Sequence, residues 1–140
     1  DIIVGFPGET DEDFEKTMEM MREIRFDFAY MFQYSERSNT YAARHQEDDV
    51  SDDVKQQRLE RLIEQQEAIS AEVFESRIGA TETVLVEGTS RRDDSDLSGR
   101  TDDFKMTVFP RPEDDSVQPG DLVDIEVTDC TSHTLLGELI

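Results

Sequence analysis

Asp1-Ile2-Ile3-Val4-Gly5-Phe6-Pro7-Gly8-Glu9-Thr10 decides the first half of the fold. An apolar run that ends in a Gly-Phe-Pro-Gly turn has the pattern of a buried strand of parallel type. Thr10 can then cap a helix, with Asp13 at the acidic position of a capping box. Asp11, Glu12 and Asp13 suit the positive end of the helix dipole. Phe14, Thr17, Met18, Met21 and Ile24 recur at helical spacing and predict the buried stripe. Phe26 to Tyr34 is aromatic, with Phe28, Tyr30, Phe32 and Tyr34 alternating, and predicts a second strand. Strand, helix and strand in this order suit a parallel sheet or a (βα) barrel. A buried parallel strand needs neighbours on both sides, so the pattern predicts a fragment cut inside a larger domain.

Outward from this unit, Ser35 to Val50 is polar and irregular. Ser51 is placed to cap a long helix to about Ile78, with Gly79 as its C-cap. Val54, Leu59, Leu62, Ile63, Ile69, Val73 and Phe74 mark its apolar stripe, and Glu and Gln fill the face predicted to be solvated. From Thr81 the period changes from helical to alternating. Thr83–Glu87, Leu97–Thr101, Lys105–Phe109, Leu122–Thr128 and Thr134–Ile140 are five short strand candidates. Gly88 and Pro119-Gly120 are read as turns between them. Five short strands in about 60 residues predict a small closed or nearly closed β-barrel. The boundary is placed near residues 76–79.

Composition narrows the function classes. The chain has 140 residues and a formal net charge of -21. Leu, Ile, Val and Phe make up 34 of the 140, which is enough for a modest core. No apolar run approaches the roughly 20 residues that span a bilayer. A single cysteine, Cys130, excludes an internal disulfide and cannot hold a metal by itself. These features predict a soluble cytosolic protein. The bases are 11 Arg against 3 Lys, and residues 1–76 and 77–140 carry -12 and -9. A uniformly acidic, Lys-poor surface is one that high salt would screen. An acidic surface built for a basic partner is the rival explanation.

The residues that could carry chemistry are few. Gly5 to Thr10 lacks the Gly-Lys-Ser/Thr of a P-loop and the spacing of a dinucleotide fingerprint. It does lie at the C-terminal end of a predicted strand, where α/β folds bind ligands. A ligand role and a simple turn are both open. His45 and His133 have no ligand-spaced partners and are expected at the surface or in structural roles. Cys130 is expected as a small core residue, with nothing basic nearby to lower its pKa. Arg91 to Arg111 holds five bases and five acids, so this stretch alone is neutral. Arg and Phe on one face of a small barrel can stack bases and hold phosphates. Alternatively, Phe104 and Phe109 are core and the arginines neutralise neighbouring acids.

Together these motifs resemble one family. Asp1 to Thr10 is similar to a late barrel strand of the radical SAM methylthiotransferases. Phe32-Gln33-Tyr34-Ser35-Glu36-Arg37 and Thr40-Tyr41-Ala42-Ala43 resemble their final strand and loop. Val54-Lys55 with Arg58-Leu59 and Leu62 resembles the helix that follows. Ile78-Gly79, Val84-Leu85-Val86-Glu87-Gly88, Ser98-Gly99-Arg100-Thr101 and Leu136-Gly137-Glu138-Leu139 resemble the appended TRAM domain. Phe104 to Pro110 resembles the tRNA-modifying branch.

The resemblance implies an α/β plus all-β fold. Residues 1–76 would be the C-terminal part of a radical SAM (βα) partial barrel. Residues 77–140 would be a five-stranded, OB-like TRAM barrel. The whole enzyme would use S-adenosylmethionine and two [4Fe-4S] clusters to add a methylthio group to C2 of N6-isopentenyladenosine next to the tRNA anticodon. The cluster cysteines lie upstream in the family, so no catalytic residue and no metal ligand is expected in this chain. Ile3, Gly5, Pro7 and Gly8 would lie by the cofactor, and Arg37 near substrate or cofactor. Arg91, Arg92, Ser98, Arg100, Phe104 and Lys105 would face the tRNA anticodon stem-loop. The protein is expected to act as a monomer, away from membranes. The loop after Arg37 departs from the family's Gly-Thr-Pro type run, with Asn39 suited to a left-handed conformation. The alternatives are a ribosomal protein S12 aspartate methylthiotransferase and a non-catalytic RNA-binding or protein-interaction module.

Overall fold

The computed structural model describes residues 1–91 and 93–140, in two units, Asp1–Ser70 and Ala71–Ile140. In the first unit β1 (Ile2–Val4) leads into α1 (Asp11–Ile24) and then β2 (Met31–Gln33). The two strands pair in parallel, with Ile3 opposite Phe32, so α1 is the crossover. The capping box forms as the residue types demand. The Thr10 side chain accepts from the Asp13 N–H, and the Asp13 carboxylate accepts from the Thr10 N–H. Val4, Phe14, Met18, Met21 and Leu62 form the core, with Ile2, Met31 and Leu59 packed against it. Full burial of a side chain such as Phe14 contributes about 2–3 kcal/mol.

The second strand is much shorter than the alternating aromatics predict. Its pairing begins only where the Ile2 N–H donates to the Tyr30 carbonyl at 2.8 Å. Upstream, Gln66 Nε2 donates to the Phe26 carbonyl at 2.7 Å and Ser70 Oγ to the Asp27 carbonyl at 2.7 Å. Helix side chains therefore use the acceptors that a strand ladder would need. Phe28, Tyr30 and Phe32 remain exposed. Ile24 is exposed too, because α1 ends just beyond it with Arg25 left-handed at φ 55°.

A short α2 (Tyr41–His45) starts at Thr40, and α3 (Asp52–Glu75) follows Ser51. Ser51 acts as its cap, since the Val54 N–H donates to Ser51 Oγ at 3.4 Å. The helix stops at Glu75 rather than at Ile78. Gly79, at φ 84°, closes the turns after it, and its N–H donates to the Val127 carbonyl at 2.8 Å. The buried face also departs from the predicted stripe. Lys55, Arg58, Gln66 and Ser70 are buried beside Leu62, while Ile63 is exposed.

The second unit is a closed barrel with strand order β3-β4-β5-β7-β6. The strands are β3 (Thr81–Thr89), β4 (Asp96–Thr101), β5 (Met106–Pro110), β6 (Leu122–Cys130) and β7 (Leu135–Leu139). All pairings are antiparallel except β5 with β7, and β3 with β6 closes the ring. Alternate residues point inward, as period-2 patterning requires. Val84, Val86, Leu97, Phe109, Val117 and Ile125 fill the interior, and Phe74, Val127 and Leu135 form a second cluster. Gly88 lies inside β3 at a register shift, not in a turn between strands. Gly99 is required by close approach, because a Cβ there would overlap the Leu85 carbonyl on β3. Cys130 is half-buried against the second cluster, and burial pushes its thiol pKa up.

Candidate functional site

In the first unit the Gly5–Thr10 loop is held by hydrogen bonds at both ends. Gly5 is buried at φ 71° and its N–H donates to Glu9 Oε2 at 2.6 Å. Arg58 on α3 donates from Nη1 to the same carboxylate oxygen at 2.7 Å and to the Glu9 carbonyl at 3.1 Å. Its Nη2 reaches Asp11 at 2.7 Å. Burial pulls the Arg58 pKa down, but hydrogen bonds to Asp11 and Glu9 and their charges outweigh it, leaving the guanidinium above its ordinary value. Gly8, at φ 81°, donates its N–H to Asp49 Oδ1 at 2.7 Å. Lys55 pairs with Asp48 at 2.6 Å and lies 5.5 Å from the Tyr34 ring centre. Phe6 packs edge-on against the same ring at 5.1 Å.

Ile3, Gly5, Pro7 and Gly8 thus share one ordered strand end and loop. Pro7 is buried, whereas Ile3 is 54% exposed. Ile2 and Val4 point into the core, so Ile3 and its register partner Phe32 share the other face of the sheet. Arg37 is exposed and lies outside this network of bonds. Its carbonyl accepts from Thr40 Oγ1 at 2.8 Å, and Asn39 adopts φ 71°.

In the barrel, Arg100 and Phe104 come together at the β4–β5 hairpin. Phe104 takes φ 71°, an uncommon conformation for a bulky residue, and the residue is 64% exposed. The Arg100 guanidinium lies 5.3 Å from that ring centre and donates to the Phe104 carbonyl at 3.3 Å. Arg100 also pairs with Glu87 at 3.1 Å. An open groove of about 680 Å³ is lined by both residues together with Glu82, Leu85, Asp102 and Leu122. Ser98 is half-buried within β4, and Arg91 is exposed. Arg92 lies outside the described residues.

Lys105 does not belong to this face. The reversal at Phe104 turns that ring outward and Lys105 inward, to 2% exposed. Its ammonium donates to Asp103 at 2.7 Å and lies 5.8 Å from the Phe74 ring centre. Asp103 also accepts from Thr101 Oγ1 and from Arg77 Nη2, both at 2.5 Å. Burial alone would raise the Asp103 pKa, but hydrogen bonds from Lys105 and Thr101 and the charges of Lys105 and Arg77 bring it down to about 2. Of the two phenylalanines, Phe109 is core and only Phe104 is presented to solvent. Glu9, Lys55 and Arg58 stand within quoted motifs, but the sequence patterns give none of them a role at a site. The available signal was their placement, since Lys55, Arg58, Leu62 and Gln66 recur at the spacing of one helix face.

Among the described residues no three or more His, Cys, Asp or Glu are grouped to hold a metal ion. No helix among them is long and apolar enough to cross a membrane.

Residues 75–140 match the TRAM domain family. Nearly the whole chain is similar to proteins named tRNA-2-methylthio-N(6)-dimethylallyladenosine synthase. The relative from Prosthecochloris aestuarii is 47% identical over 137 residues, covering 98% of this chain and 30% of the relative. The relative from Chlorobium limicola is 49% identical over the same coverage. The relative from Porphyromonas gingivalis is 44% identical over 140 residues, covering 100% of this chain and 30% of the relative. The chain therefore spans about 30% of the length of these curated relatives.

Proposed function

We propose, from the premise that this chain carries a TRAM domain and is related along its length to tRNA-2-methylthio-N(6)-dimethylallyladenosine synthases, that it is the C-terminal part of such an enzyme. The whole protein adds a methylthio group to C2 of N6-isopentenyladenosine beside the tRNA anticodon. Residues 1–76 close its radical SAM core, and residues 77–140 form the TRAM domain that binds the anticodon stem-loop.

The chain's own residues fit two tasks. Ile3 and Phe32 expose an apolar face at the strand end, which suits an adenine ring. The ordered left-handed glycines Gly5 and Gly8 set the turn next to that face. S-Adenosylmethionine would lie there and supply, with iron–sulfur clusters held elsewhere, the radical and methyl chemistry. The donor set of this chain does not fit a cluster, because Cys130 is its only thiol. Arg37, exposed in the loop after β2, is assigned to the substrate or cofactor vicinity.

The observation that carries the RNA assignment is the exposed Phe104 ring beneath Arg100. An aromatic face with a guanidinium over it is a platform for an unpaired base. Arg91 and Ser98 are kept as candidates on the same barrel, and Lys105 is withdrawn from the set. The test is filter binding of an isopentenylated anticodon stem-loop, with nucleoside mass spectrometry of tRNA from cells lacking or expressing the whole gene. Arg100→Ala is expected to weaken binding and reduce the salt slope by about one ion. Unchanged affinity would remove Arg100 from the interface. Unmodified tRNA in cells expressing the whole gene would overturn the enzyme assignment.

A further inference from the structure

We infer that Arg58 and Lys55 on α3 are positioning residues for the Gly5–Thr10 loop, acting through Glu9 and Gly5. The inference rests on the proposal that this loop borders the adenosyl group. Glu9 is the central element. Its Oε2 accepts from the Gly5 N–H at 2.6 Å and from Arg58 Nη1 at 2.7 Å, with side chains only 11% and 7% exposed. A carboxylate that dry needs a cation or hydrogen-bond donors facing it. Without Arg58, the Glu9 carboxylate loses its facing cation and is drawn toward water, which withdraws the acceptor of the Gly5 N–H. Arg58 also ties the loop to the first residue of α1 through Asp11. Only the guanidinium fork reaches both acids at once.

Arg58 holds this place at a cost. Its Nε is buried without a hydrogen-bond partner among the described atoms, and the Phe14 ring centre lies 5.7 Å from its guanidinium carbon. A residue present only to fill space would not need a desolvated, partly unsatisfied cation. Lys55 acts on the same loop independently. Its side-chain stem occupies the position a Gly5 Cβ would take, and its ammonium is fixed by Asp48 at 2.6 Å. The α3 side of Gly5 is therefore closed to a ligand.

The test separates loop order from ligand binding. Amide hydrogen exchange on this chain reads the Gly5 N–H directly. Glu9→Gln and Arg58→Gln are expected to speed its exchange about tenfold, the range for losing a charge-assisted bond, with barrel amides unchanged. Arg58→Lys is expected to restore part of the protection, and Asp11→Asn, at the exposed end of the fork, to change it little. S-Adenosylhomocysteine is then titrated calorimetrically onto the protein expressed with any upstream segment its gene encodes. Glu9→Gln and Arg58→Gln are expected to weaken its binding in step with the loss of protection, and Arg58→Lys to recover both. Unchanged Gly5 exchange in both Gln variants would overturn the clamp. Faster exchange with unchanged affinity would overturn the positioning role. If the unsubstituted protein does not bind S-adenosylhomocysteine, the adenosyl assignment fails, while the exchange result still decides the clamp.

Discussion

Replacing Asp103 with Asn tests whether the barrel is held at its base by charge. Asp103 accepts from Thr101, Lys105 and Arg77, and its pKa lies near 2 against an ordinary 3.8. The difference corresponds to a ceiling of about 2.4 kcal/mol in favour of the folded state at neutral pH. The side chain is 34% exposed, so solvent screening reduces this to about 1–2 kcal/mol. Because the folded pKa is depressed, the contribution is complete above pH 4 and disappears as pH falls through 2. Roughly half of it should remain at pH 3.

The assay is urea unfolding followed by barrel methyl resonances, comparing Asp103→Asn with the unsubstituted chain at pH 7 and pH 3. The expected loss is about 1–2 kcal/mol at pH 7, shrinking by about half at pH 3. Asp102→Asn, at the exposed neighbour, is the control and should lose little. An equal loss at both pH values would show that Asp103 acts through shape rather than charge.

Three further outcomes follow from the same contacts. Phe14→Ala should destabilise the first unit by about 3–5 kcal/mol in denaturant titrations, because its ring is fully buried in the small core. The melting temperature should rise with KCl, and each 1 kcal/mol of relieved self-repulsion is worth about 4–8 °C for a unit of this size. A flat or falling curve would instead favour an acidic surface built for a basic partner. Phe104→Ala should weaken stem-loop binding by about 1–3 kcal/mol, the usual value of one base stack, and leave the salt slope unchanged. An altered slope without a loss of affinity would contradict stacking.

The barrel was legible from Thr81 onward because each strand alternates inward and outward, and alternation survives in sequence. All five strand candidates form, with ends moved by one or two residues. The capping box at Thr10 was legible for a similar reason, since all its partners lie within three residues. The second strand was misread because its fate depends on Gln66 and Ser70, some forty residues away. The same limit hid the clamp, in which Arg58 meets Glu9 across 49 residues. Lys105 was misplaced because one left-handed residue, Phe104, exchanges inside for outside at the hairpin. An aromatic residue carries no sequence signal for positive φ, whereas a glycine there would have given one.

The acidity of the chain bears on how it could bind RNA at all. Arg58, Arg77, Arg100, Arg111, Lys55 and Lys105 all contact carboxylates within the chain. Charge alone therefore gives little attraction to phosphate, even in the neutral stretch from Arg91 to Arg111. Arg100 must exchange Glu87 for a phosphate, and that pair is exposed and costs little to give up. The Phe104 ring needs no such exchange, since stacking depends on apolar area and a π face rather than on net charge. High salt weakens phosphate contacts through counter-ion release but leaves stacking largely intact. A barrel that bound RNA by stacking could therefore carry an acidic surface, and the exposed Phe104 ring would reconcile a net charge of -21 with the proposed nucleic-acid partner.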